Sequence, residues 1–244
     1  MKSDKIGDAL RKYYGIFGLD NEGPPQGVNV GNLFQGINFD SELHLIERIC
    51  NNSEIIRKHN KCFELLENIA NSLTDASFMN EISDSISEVT NSEREHLTNG
   101  VFWHYLASVL DPKLEKELKY EIPFPEDLPL YHRQMLKIQG SLIFRLYISL
   151  VYMKEGPLLN ILNETSKNRK PISQLALKLI RCDYVRHIRN SISHSTFEST
   201  SFGILFKDED KFEVVATPEF LNKLATWIFL INYQCSTVID RKYK

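Results

Sequence analysis

The sequence predicts an all-α fold, a helical bundle with one short β-hairpin between its last two helices. Three observations predict it. Only 11 of 244 residues are Gly and 9 are Pro, and apolar residues make up 42%. Long Leu- and Ile-rich segments repeat at spacings of three and four, the signature of buried helix faces. One segment alone, GILFKDEDKFEVVAT, carries two short β-prone runs around a polar turn, here read as Lys207–Lys211.

The elements follow in order. Residues 3–17 have Ile6, Leu10, Tyr13 and Tyr14 at helical spacing. LDNEGPPQGVNVGNLFQGINFDS holds four of the glycines and reads as a loop, with Ser41 placed to cap the next helix. From there to Leu73 the apolar positions describe one broken helix or two consecutive ones. Phe78, Ile82, Ile86 and Val89 mark a helix over 77–90, and Thr90 to Glu95 a restart. HLTNGVFWHYLASVL is a strongly apolar helix expected to stop near Asp111-Pro112. EIPFPEDLPL is an extended connector. A long apolar helix is expected over 131–154, ended by Gly156-Pro157, and a short one over 157–166. Residues 171–194 form one amphipathic helix, and Thr217-Pro218 opens the last. Two units are marked out, residues 1–127 and 128–244, the first open to being part of the same bundle. Trp103 and Trp227 lie at helical spacing in apolar runs and are expected in the core.

Several function classes drop out. No run reaches the roughly 18 consecutive apolar residues of a membrane span. The start MKSDKIGDALRKYY lacks the apolar core of a signal peptide, so a cytoplasmic protein is expected. Cys50, Cys62, Cys182 and Cys235 are far apart and expected as free thiols. No Gly-rich phosphate loop is present, and His187, His194 and Cys182 are too spread along the helix for one ion. Neither a cofactor nor a metal is expected.

The net charge is −3, but it is unevenly distributed. Residues 40–127 hold 8 basic and 18 acidic groups, whereas residues 128–195 hold 11 basic and 3 acidic. A block of net +8 is the electrostatic footprint of a polyanion partner, or else of a surface neutralised by the acidic half.

Within the basic block, helix 171–194 buries Ile172, Leu175, Ala176, Leu179, Cys182, Val185, Ile188 and Ile192. Opposite them fall Asp183, Arg186, His187, Asn190 and His194. A His titrates near neutrality and can move a proton. An Arg fork matches a pair of phosphate oxygens. RNA supplies its own nucleophile, the 2′-hydroxyl, so the pair suffices in principle without a metal. The plain alternative is a solvated helix face, with His187 the first bystander. Arg189 and His194 lie five residues apart, about 140° on an ideal helix. They converge only if the helix distorts at its end or if a second copy supplies part of the site.

Arg189-Asn190-Ser191-Ile192-Ser193-His194 resembles the Arg-polar-x-x-x-His signature of the HEPN superfamily. The Ser-Thr-Phe-Glu segment, hairpin and closing helix that follow are similar to the layout of some plasmid- and mobile-element-borne prokaryotic HEPN proteins. The resemblance covers roughly residues 130–240. It implies a helical bundle that pairs through the motif helix, residues 171–194 here, as a homodimer. It also implies a metal-independent endoribonuclease in a toxin or phage-defence role, with RNA (tRNA among the candidates) as substrate and an antitoxin or regulatory protein as a further partner. Carried over, His194 is the acid/base, Arg189 holds the scissile phosphate, and Asn190 is the polar residue after the Arg. Arg186 and Ser193 are added as substrate-binding residues from their proximity to the motif. Some members are non-catalytic modules that bind RNA, a nucleotide or a protein, and this is the second expectation. A third is a helical interaction protein whose acidic half docks on a basic partner.

Overall fold

The computed structural model describes residues 39–73, 77–86, 89–117, 142–143, 145–153, 157–200, 203–208 and 212–243. Within them the chain is all-α with a small antiparallel sheet. The helix expected over 3–17, most of the Gly-rich loop, the 121–130 connector and the boundary at 127/128 lie outside the described residues.

Helix α1 (Phe39–Cys50) already includes Ser41, so that serine is not its cap. Helix α2 (Ser53–Ser72) starts afresh because Asn52 is extended and its Oδ1 accepts the amides of Glu54 and Ile55, both at 3.2 Å. Helix α3 (Ser77–Ser85) buries Phe78 and Ile82. Its Glu81 carboxylate accepts the amides of Ile172 and Ser173 at 3.2 and 2.9 Å, and so caps a later helix from a distance.

Helix α4 (Asn91–Glu117) opens with a capping box. The Thr90 amide donates to Glu93 at 2.9 Å, and the Glu93 amide donates to Thr90 Oγ1 at 3.2 Å. The expected stop at Asp111-Pro112 is corrected: the helix runs through Pro112 to Glu117. A proline removes one donor, and the strong helix formers Leu114 to Glu117 carry the helix on. Of the expected 131–154 helix, residues 147–152 are described as a π-helical turn, Tyr147–Tyr152. Trp103 is also corrected. It is 45% exposed and lies edge-on to Phe102. Trp227 packs against the core as expected.

Helix α5 (Pro157–Lys167) matches the short helix read there. The single helix over 171–194 is corrected to two, α6 (Pro171–Ile180) and α7 (Asp183–Ser193). The break lies at Arg181-Cys182, where Cys182 takes an extended ψ of 136° and becomes the N-cap of α7. The apolar spacing continues across the break, so the stripe from Ile172 to Ile192 stays largely buried.

The expected hairpin is present as β2 (Gly203–Asp208) and β3 (Phe212–Ala216). Strand β1 (Phe197–Thr200) adds to its edge, giving the order β1-β2-β3. The turn is shorter than read, since Lys207 pairs with Glu213 and Asp208 with Phe212. Helix α8 (Pro218–Lys242) starts on Thr217, whose Oγ1 accepts the Phe220 amide at 3.3 Å. One hydrophobic core runs from Ile46 of α1 to Ile239 of α8. It places α2 against α6, α7 and α8, and β2 against α7. Among the described residues no helix is long and apolar enough to cross a membrane.

Candidate functional site

Helix α7 buries more than one stripe. Val185, Ile188 and Ile192 face the helical core, and Tyr184, His187 and Ser191 are buried beside them at spacings of three and four. The second row exists because the sheet covers it. The Ser191 hydroxyl donates to the Thr196 carbonyl at 2.6 Å and accepts the Lys207 amide at 3.0 Å, tying α7 to the entry of β1 and to β2.

His187, read from spacing as a solvated bystander, is corrected by this packing: it is 3% exposed. Its ring stacks on Phe212 with centroids 4.0 Å apart. Nδ1 lies 2.7 Å from Asp208 Oδ2 at the end of β2. Nε2 faces Lys58 Nζ at 3.4 Å and an Arg186 guanidinium nitrogen at 3.3 Å. Ammonium and guanidinium groups only donate. Nε2 is therefore the acceptor, and the ring proton on Nδ1 is donated to Asp208.

The same carboxylate oxygen accepts Asn190 Nδ2 at 3.2 Å. Asn190 Oδ1, turned the other way, accepts Arg189 Nε at 3.2 Å and a terminal guanidinium nitrogen at 2.7 Å. The amide orientation follows from this, because its oxygen must meet the guanidinium and its nitrogen the carboxylate. A chain of contacts thus runs from His187 through Asp208 and Asn190 to Arg189. It orients the guanidinium from behind and leaves it half-buried.

His194 stands apart from this chain. It is the C-cap of α7, its amide donates to the Asn190 carbonyl at 2.9 Å, and its side chain is exposed. Ser195 follows in the left-handed region at φ 56°, which turns the backbone towards β1. Arg186 is half-buried, with Nε 3.6 Å from Asp183 Oδ1. Ser193 is exposed one turn beyond Arg189. The fold therefore joins Arg186, Arg189 and Asn190 through one polar network and leaves Ser193 and His194 on the solvent side.

Asp208 and Lys58 were missed from sequence. A signal for Asp208 was available: Tyr184, His187 and Ser191 form an unusually polar row for a buried face, and such a row needs partners from another element. Among the described residues no group of His, Cys, Asp and Glu is arranged to hold a metal ion. All four cysteines are buried, and none of them forms a disulfide. No protein-family model matches the chain, and no curated protein or solved structure is significantly similar to it.

Proposed function

We propose that α7 carries a metal-independent RNA-cleaving site of the HEPN type. The observation that carries this reading is the tether from Asp208 through Asn190 to Arg189, which holds the motif guanidinium in one orientation. A preorganised cation next to a phosphate stabilises the charge that grows on a phosphorane. In the proposed reaction the RNA 2′-oxygen attacks phosphorus and the P–O5′ bond breaks. His194 takes the 2′-hydroxyl proton and passes it to the departing 5′-oxygen. The products are a 2′,3′-cyclic phosphate and a 5′-hydroxyl. Arg186 and Ser193 flank the motif as substrate contacts. Pairing of two copies through α6 and α7 would set a second His194 near the first Arg189. The toxin or phage-defence role, and an antitoxin partner, follow from the HEPN resemblance.

One observation favours the second reading, a module that binds RNA without turnover. The histidine with a fixed tautomer is His187, whereas His194 has no side-chain partner among the described residues to orient it. The test incubates the protein with labelled total RNA and tRNA in EDTA, beside Arg189→Ala and His194→Ala. Cleavage lost in both variants, leaving cyclic phosphate ends, is the expected result. A His194→Ala protein that cuts as well as wild type would overturn the catalytic reading.

A further inference from the structure

A groove of about 630 Å³ runs between α2 and the α6–α7 break. Its walls carry five cations: Arg57, Lys58 and Lys61 from α2, and Lys178 and Arg181 from the other side. The carboxylates on it are Glu64 and Asp183, and Asp183 is turned to Arg186.

The cations divide by what they already touch. Lys58 is 3.2 Å from Glu54 and also meets His187, and Arg181 donates to Asn163 Oδ1 at 2.8 Å. Arg57, Lys61 and Lys178 are exposed and have no acidic partner among the described residues. Isolated surface cations are ordinary, but three without a carboxylate partner facing one concave surface raise its potential together. Arg57 and Lys61 are one turn apart, a rise of about 6 Å. That is on the scale of the distance between successive phosphates of an extended single strand. Lys178 faces them from α6.

The groove does not end blindly. Lys58 is shared between it and the His187 ring, and Asp183 at its wall is paired with Arg186. A polyanion lying along Arg57, Lys61 and Lys178 would therefore lead towards the polar network of α7.

We infer that the groove between α2 and the α6–α7 break is a track for the phosphate backbone of a single-stranded nucleic acid, gripped by Arg57, Lys61 and Lys178. That the strand is RNA rests on the reading of α7 given above; the groove's charge arrangement does not. Such binding is sequence-tolerant and steeply salt-dependent.

The experiment measures fluorescence anisotropy of a labelled single-stranded 2′-deoxy oligonucleotide of roughly 12 nucleotides, a strand that lacks the nucleophile for cleavage. The full chain is compared with Arg57→Ala/Lys61→Ala/Lys178→Ala and with the charge-preserving Arg57→Lys/Lys61→Arg/Lys178→Arg. The triple alanine variant is expected to bind at least about tenfold more weakly, with a log–log salt slope smaller by about two for three lost phosphate contacts. The charge-preserving variant should bind like wild type. No wild-type binding at low salt, or triple-alanine binding within twofold of wild type, overturns the track. So does equal competition by polyglutamate of the same length, which would mean an acidic-peptide surface. Binding that follows these variants while no RNA is cut would sink the nuclease reading and leave the track standing.

Discussion

His187 Nδ1 lies 2.7 Å from Asp208 Oδ2, a buried contact that helps join the motif helix to the sheet. Both side chains are more than nine-tenths buried. The carboxylate accepts from His187 and Asn190 at once, so its removal strands two donors. Asp208→Ala is expected to cost about 2–4 kcal/mol, the range for breaking a buried charged hydrogen-bond pair. Urea denaturation measures it. The same variant frees Asn190, and Arg189 with it, so any RNA cleavage should fall as far as it does in Asn190→Ala. An Asp208→Ala protein of wild-type stability would show that this carboxylate does not hold the motif.

How much of this was legible depended on which partner each residue needed. The buried stripe from Ile172 to Ile192 was readable because its spacing is local. Thr217-Pro218 was readable because a cap and a first-turn proline are adjacent in sequence. The helix break at Cys182 was not, since the stripe keeps its phase across it and no Gly or Pro marks it. His187 was misplaced because periodicity with one apolar face assumes one packing surface, and α7 has two. The second surface comes from β2, and its contact with His187 is made by Asp208, 21 residues away. Trp103 failed for the opposite reason, an apolar side chain in an apolar run that the packing leaves 45% exposed.

Gly203 supplies a test of the sheet's geometry. Its φ is +149°, and a Cβ there would come within 2.3 Å of the Ala216 carbonyl oxygen. That contact is with backbone of the neighbouring strand and has no side chain to swing away. Gly203→Ala should therefore lower the thermal midpoint by several degrees, through a loss of about 1–3 kcal/mol from strain and clash. Unchanged thermal unfolding would mean that the β1–β2 turn relaxes freely.

The buried histidines predict acid sensitivity. Burial pushes His59 down to about 4, and burial with the Arg145 charge does the same to His104. An unfolded chain takes up these protons near pH 6.5, while the folded one refuses them until about pH 4. Stability is thus full above pH 6.5 and falls as the pH drops towards 4, by roughly 2 kcal/mol per residue at pH 5. Urea midpoints at pH 7.5 and 5.0 measure the difference. In His59→Leu that difference should shrink by about half. Equal midpoints at both pH values in the wild type would contradict the burial of both rings.

Cys182 gives a prediction at the groove itself. A hydrogen bond from Cys62 is the main influence on its thiol. With help from the amides of Tyr184 and Val185 and the charge of Lys61, it outweighs burial and holds the thiol at about 6. Burial pushes the Cys235 thiol up instead. A depressed thiol is largely thiolate at pH 7, so Cys182 should be the cysteine alkylated first by iodoacetamide, read by peptide mass spectrometry. Its rate should rise through about pH 6 and level off above pH 7, where an ordinary thiol is still climbing. Cys62→Ala removes the strongest influence and should move that midpoint up towards the usual thiol range. If Cys182 instead titrates like an ordinary thiol in the wild type, the pair is not hydrogen-bonded in solution. A strand seated in the groove should slow the alkylation, since Cys182 forms part of its wall.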